Sequence, residues 1–140
     1  MELDWADHLS VGNAIIDADH KNLIITVNSV EHAIGTKDRA AMSKAFVLLE
    51  TYMLIHFTNE EKIAEAVNFP FASNKLEHQR CMEEMNAVRD ELEKMNGIWS
   101  DELANKYIRF LSIWMVDHIT KEDMLMKPVL ETYPYDFKPG

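Results

Sequence analysis

The sequence predicts an all-α protein, an antiparallel up-down four-helix bundle with an extended N-terminal arm. Three observations carry this reading. Apolar residues recur at three- and four-residue steps through four long stretches. Each stretch closes near a Gly, an Asn-Gly or a Pro. With only four Gly and four Pro in 140 residues, the chain lacks the turn content of a β fold. Apolar residues make up 47% of the chain, enough for one sizeable core, so residues 1–140 are expected to form a single domain.

Residues 1–13 show no periodicity, hold Trp5 and Gly12, and read as an arm laid across the body. The first helix is expected over about 17–34, with Asp17 as N-cap and Gly35 as stop. Leu23, Ile24, Val27 and Val30 form its stripe, and His20 falls on it. The second, about 38–66, carries Met42, Phe46, Leu49, Tyr52, Met53, His56, Glu60 and Ile63, and ends before Pro70. Leu48 is placed on the same face. The third, about 73–96, sends Leu76, His78, Cys81, Met82, Met85, Val88 and Leu92 inward and stops at Asn96-Gly97. The fourth, about 100–127, carries Leu103, Tyr107, Phe110, Leu111, Trp114, Met115, His118 and Met124 and ends near Pro128. Residues 128–140 read as a tail, packed or frayed.

Charge narrows the function. Lys and Arg number 14 against 24 Asp and Glu, a net charge of −10 with no basic cluster, which argues against nucleic acid and anionic membrane as partners. The N-terminus has no signal-peptide pattern, and no apolar run approaches the roughly 20 residues that span a bilayer. Cys81 is the only cysteine, which fits a reducing compartment. The expectation is a cytoplasmic protein.

His56 and Glu60 raise the chemical question. Four residues apart on a helix, they lie roughly 40° from eclipsed and share a face that is otherwise apolar. Burying both costs several kcal/mol, on the order of what an unpaired buried ion costs, unless they pair or bind a metal. Each other helix adds candidates: His20, His78, and His118 with Asp123. A lone core histidine is more often structural, but four of the six histidines on inward stripes exceed what histidine's burial preference allows. Imidazole and carboxylate donors without thiolate suit iron, manganese or zinc. Two carboxylates among four imidazoles favour a dinuclear site.

From Trp5 to about Met126, the chain resembles the hemerythrins, and among them the bacterial hemerythrin-like domains. The resemblance rests on Trp5…Val11-Gly12…Ile16-Asp17-Ala18-Asp19-His20-Lys21, His56-x-x-x-Glu60, Lys75-x-x-His78 and Trp114-x-x-x-His118-x-x-x-x-Asp123. It implies two oxo- or hydroxo-bridged irons. His20 and His56 would serve the one that binds dioxygen, His78 and His118 the other, and Glu60 and Asp123 would bridge them. Trp114 and Met115 resemble the family's dry pocket wall. The family places a further histidine four residues before His78, where this chain has Asn74. Asparagine is a much weaker donor, so water or an exogenous anion is expected at that position, with looser iron retention and less secure oxygen storage.

The His118–Asp123 spacing carries its own expectation. Five regular helical residues turn a side chain roughly 140° away; a π-bulge between the two would restore a common face. Among the polar neighbours, Asp17, Asp19 and Glu77 read as caps or solvated groups, with a supporting acceptor for an imidazole N–H as the alternative. His8 and His32 read as surface residues and Cys81 as a small core residue. The methionine and aromatic stripe, Met53, Met82, Met85, Phe110, Trp114 and Met115, reads first as core packing.

Rival metal signatures are missing. No Glu-x-x-His of the ferritin-like oxidases and no His-Glu-x-x-His of zinc proteases occurs. A plain bundle with buried histidines remains as the bland alternative. The resemblance leaves three functions: sensing oxygen, nitric oxide or redox poise for a linked diguanylate cyclase or chemotaxis receptor; free-standing oxygen storage or transport; and oxidase, peroxide or nitric oxide reductase chemistry. Asn74 shifts weight to sensing, without catalysis by this domain, because a sensor needs a change of state rather than a durable complex.

Overall fold

The computed structural model describes residues 3–139, and the side chains of Glu122 and Asp123 lie outside the described residues. Four long helices, α1 (Ala14–Gly35), α2 (Arg39–Ala66), α3 (Ala72–Met95) and α4 (Asp101–Asp117), form an all-α bundle. A π-helical turn (His118–Glu122), a 3-10 turn (Asp123–Met126) and the short helix α5 (Lys127–Leu130) continue from α4. No strand occurs among the described residues, and no helix there is long and apolar enough to cross a membrane. Short connections force successive helices antiparallel. Helix α1 packs against α2 and α4, and α2 packs also against α3.

Local chemistry sets the helix ends. Asp38 caps α2 through Ala41 N, and Ser100 caps α4 through Leu103 N. Asn96 (φ 52°) and Gly97 (φ 81°) turn the chain out of α3 in the left-handed region. At the end of α1 the stop differs from expectation. Gly35 stays helical and Lys37 takes the positive φ of 57°, its ammonium 2.9 Å from Asp101. Trp99 Nε1 donates to the Ile34 carbonyl at 3.0 Å and satisfies one open acceptor there.

The start of α1 also corrects the sequence reading. Asn13, not Asp17, is the N-cap, its side-chain oxygen accepting from Ile15 N and Ile16 N. Asp17 lies one turn inside, buried, and is neither cap nor solvated group. Its carboxylate accepts from Ser10 Oγ (2.5 Å), Val11 N (2.9 Å) and Tyr135 OH (2.7 Å). One side chain thus ties the arm and the tail to α1. The tail is packed: Ala14 N donates to Tyr135 O and Asn13 Nδ2 to Phe137 O. Farther out, Leu3 exchanges two hydrogen bonds with the Asn28 side chain, and Lys21 sits over the Trp5 ring.

The apolar interior falls into two clusters. The larger runs through Leu23, Val27, Phe46, Met53, Met85, Leu111 and Ile119. The smaller, Val11, Ile16, Ile63, Ala64, Val67, Met126 and Leu130, closes the other end. Along α1, His20 falls between Ile16 and Leu23; along α2, His56 and Glu60 fall between Met53 and Ile63. A polar layer therefore crosses the bundle between two dry blocks. Three residues expected inward lie outside: Leu48, Leu76 and Phe110 are 52%, 69% and 39% exposed. Leu48 stands eight residues from His56, roughly 80° around the helix, and Leu76 two residues from His78, roughly 200°. Phe110 instead borders a groove between α3 and α4.

Replacing Asp17 by Ala should strip three donors of their acceptor, one of them a buried backbone N–H. A loss of about 2–3 kcal/mol is expected, with early proteolysis of both chain ends; a thermal melt within a degree of the parent would refute the anchoring role. Tyr135 gives a pH counterpart. Its hydrogen bond to Asp17, then burial, pushes its phenol up to about 12 from 10.0. A raised folded pKa means that the tether is complete below pH 10 and is lost as the pH climbs toward 12. Tyr107, also at about 12 through burial and Glu91, titrates in the same window. Tyr135→Phe should remove one of two late phenolate absorbance steps.

Candidate metal centre

The polar layer is built from α1, α2, α3 and the π-turn. On α2, His56 and Glu60 are fully buried, with His56 Nε2 2.7 Å from Glu60 Oε2. His118, at the first residue of the π-turn, brings its Nε2 to 3.2 Å from His56 Nε2. His20 from α1 completes a trio: one ring nitrogen from each of His20, His56 and His118 lies within 4.8 Å of the others. His78 joins through Glu60, its Nε2 3.7 Å from Oε1. The tightest group thus cuts across the pairing expected from the resemblance, with His118 beside His20 and His56 and His78 set slightly apart.

The chain leaves the regular helix where His118 enters the layer. It begins at His118, and Asp123 opens the 3-10 turn behind it. The widening expected from the five-residue spacing is present in the backbone. The expected bridge, Asp123, has its side chain outside the described residues.

The donor set fits a cation. Neither carboxylate oxygen of Glu60 receives a hydrogen bond, and neither does His78 Nε2, although all three atoms are buried. Two imidazole nitrogens facing each other at 3.2 Å need a shared proton or cation between their lone pairs. Convergent acceptors without donors cost several kcal/mol each on the usual scale of buried polar groups. A bound divalent or trivalent metal compensates all of them at once. Asn74, expected at the position of a missing histidine, is 2% exposed one turn before His78, and its Nδ2 has no hydrogen-bond partner.

Supporting groups around the ligands were only partly legible. Asp19 is the acceptor for an imidazole, but for His56 rather than for His20 beside it. Its Oδ2 lies 3.3 Å from His56 Nδ1 and is steadied by Asn59 Nδ2 at 3.0 Å. A hydrogen on His56 Nδ1 would bond to this carboxylate and leave the Nε2 lone pair facing inward, as a metal ligand requires. One step from His20 is roughly 100° around α1, which faces Asp19 toward α2. Phe57 was overlooked: its ring stacks on His78 at 3.8 Å and 13°, while Phe71 meets His78 edge-on at 5.2 Å. The signal was its place next to His56, one step around α2 toward α3.

Other expectations sort cleanly. His8 and His32 are exposed. Glu77 pairs with Arg80 on the surface, raising that guanidinium above its ordinary value. Trp114 borders the α3–α4 groove together with His118, and Met115 is fully buried in the larger cluster.

Comparison with known proteins places the chain in a family. Residues 11–130 match the family described as the Hemerythrin HHE cation binding domain. The chain is 30% identical to a bacteriohemerythrin of Stenotrophomonas maltophilia over 122 residues, 86% of this chain and 76% of that one. It is 30% identical to a bacteriohemerythrin of Methylococcus capsulatus over 115 residues, 81% and 85% of the two chains. A solved structure of wild-type hemerythrin superposes with a TM-score of 0.77 at 24% identity, covering 92% of this chain and 98% of that one, which establishes the shared fold. The chain belongs to the hemerythrin HHE cation-binding family.

Proposed function

We propose that this protein is a non-haem di-iron domain that responds to dioxygen, nitric oxide or redox poise and passes that state to a signalling output. The observation that carries the proposal is the buried layer of acceptors in which a histidine position is filled by Asn74. By the family resemblance, His20 and His56 would hold one iron and His78 and His118 the other, with Glu60 and Asp123 as the shared carboxylates. The irons, when bound, supply a reversible change of oxidation state and coordination positions open to small ligands. Everything else is done by the chain. Asp19 fixes the tautomer of His56, Phe57 and Phe71 fix the plane of His78, and Glu60 sits between both pairs. The two apolar clusters exclude water above and below the layer.

Asn74 decides between the readings. An imidazole in its place would complete the second iron with protein donors; an amide leaves that position to water or an anion. Exchangeable positions on both irons suit a change of state better than a guarded, long-lived complex. Storage is the second reading. It is favoured by the match over 85% of the Methylococcus capsulatus relative, which leaves that protein no room for a large output domain.

Anaerobic reconstitution should load two irons per chain; a chain that takes up none would return the histidines to plain core residues. On air exposure the reduced protein should pass rapidly to the diferric form, whereas a persistent spectrum that reverses under vacuum would favour storage. Asn74→His should slow that oxidation, and an unchanged rate would remove Asn74 from the account.

Glu60→Gln separates the metal reading from a structural one. Iron affinity should fall by more than about 100-fold, beyond what losing a supporting residue costs. The metal-free protein should instead gain about 1–3 kcal/mol, because a buried oxygen without a donor is replaced by an amide that can itself donate. A metal-free variant that unfolds more easily would mark Glu60 as part of a structural network.

A further inference from the structure

We infer that Cys81 is a positioning residue for His118, accepting the hydrogen of its Nδ1 on sulfur and so setting how strongly that imidazole donates to its metal. The inference rests on the di-iron reading above. His118 presents two edges. Nε2 faces the interior, 3.2 Å from His56 Nε2. Nδ1 faces the other way and lies 4.0 Å from Cys81 Sγ, at the long end for a hydrogen bond to sulfur. An imidazole that coordinates through Nε2 carries its hydrogen on Nδ1, so the thiol sulfur is the acceptor in the loaded protein.

The placement of Cys81 follows from the fold. It stands three residues after His78 on α3, nearly on the same face, and is buried against the larger cluster. His118 opens the π-turn, where the widened backbone carries its ring toward α3. The sulfur lies on the outer edge of His118, so it does not fill the position that Asn74 leaves. Above it a groove of about 320 Å³ runs between α3 and α4, bordered by Glu77, Arg80, Trp114, Asp117 and Lys121. The carboxylates there are turned to cations: Glu77 lies 3.1 Å from Arg80 and Asp117 3.5 Å from Lys121. The thiol faces His118 from below them.

The contrast with His56 gives the contact its meaning. His56 Nδ1 faces the carboxylate of Asp19, a strong acceptor that pushes electron density onto the ring. His118 Nδ1 faces a neutral sulfur, a weak acceptor that leaves the ring a poorer donor. The metal held by His118 is therefore the more easily reduced and the more easily lost.

The test compares Cys81→Ser, Cys81→Ala and Cys81→Val in the full chain, reconstituted anaerobically with ferrous iron. Serine keeps an acceptor, while alanine and valine remove it, valine also filling the volume. Loss of the acceptor should raise the reduction potential of the centre and weaken iron retention about tenfold, the low end for a supporting residue; serine should stay near the parent. In protein loaded with diamagnetic zinc, the Nδ1 hydrogen of His118 should be protected from solvent exchange in the parent and in Cys81→Ser, and should exchange faster in the other two. Parent-like potential and Nδ1 protection in both Cys81→Ala and Cys81→Val would overturn the inference. So would equal shifts in all three variants that follow only their melting temperatures, since that is packing. A parent chain that binds zinc but no iron defeats the di-iron reading, and the protection of the His118 Nδ1 hydrogen still decides whether Cys81 backs His118.

Discussion

The rest of the structure depends on a polar layer placed across a hydrophobic interior. Each helix of this bundle would be an ordinary amphipathic segment without it, and the two apolar clusters would merge into one core. With it, His20, His56, Glu60, Asn74, His78 and His118 are withdrawn from water at one level. Both carboxylate oxygens of Glu60 and Nε2 of His78 lie in this layer without a hydrogen bond among the described residues. The fold must therefore be stable enough in its two dry blocks to carry these atoms, or must recover the loss by binding a cation. That constraint explains why so much of the remaining polar chemistry is spent at the ends of the chain. Asp17 gathers the arm and the tail into one anchor beside the layer, closing the smaller cluster over it.

Much of the fold was legible because helix periodicity is a strong signal. The four stripes, the Asn96-Gly97 stop and the helix starts near residues 38 and 100 need only local rules. What was not legible locally was set by partners distant in sequence. Asp17 looks like a helix cap until Tyr135 and Val11 are brought to it from either end. Leu48 and Leu76 differ from expectation for a simpler reason: the helical angle that separates them from His56 and His78 turns them to solvent despite their hydrophobicity. Gly35 looked like the stop for α1, but the left-handed residue is Lys37, held by Asp101 across the loop.

The site divides in the same way. Residue types and spacings brought His20, His56, Glu60, His78 and His118 to attention, and the backbone gathers them in one layer. The five-residue step from His118 was the most informative irregularity, because a regular helix could not serve both ends of it. A single π-turn starting at His118 removes the conflict without a break in the chain. The layer outside the ligands was harder to read. Asp19 serves a histidine on another helix, and Phe57 and Cys81 have no marker that separates them from core residues.

That outer layer is unequal, and the inequality has a direction. His56 is backed by a carboxylate with its own hydrogen-bond support, His118 by a thiol, and His78 by two aromatic rings that fix its plane but accept little. A ring backed by a carboxylate is the stronger donor, so the half of the site near His56 holds a metal more firmly. On the other half, a buried amide stands one turn from His78, where an imidazole would have added a third nitrogen. Under the proposed pairing of His118 with His78, weak backing and a missing nitrogen fall on the same side. Two metals bound here would differ in potential even with matched ligand counts, and oxidation of the pair would begin from an asymmetric state. On the sensing proposal, such an asymmetric centre suits registering a change better than holding a ligand unchanged, and Glu60, 2.7 Å from His56 and 3.7 Å from His78, is the group placed to couple the two sides.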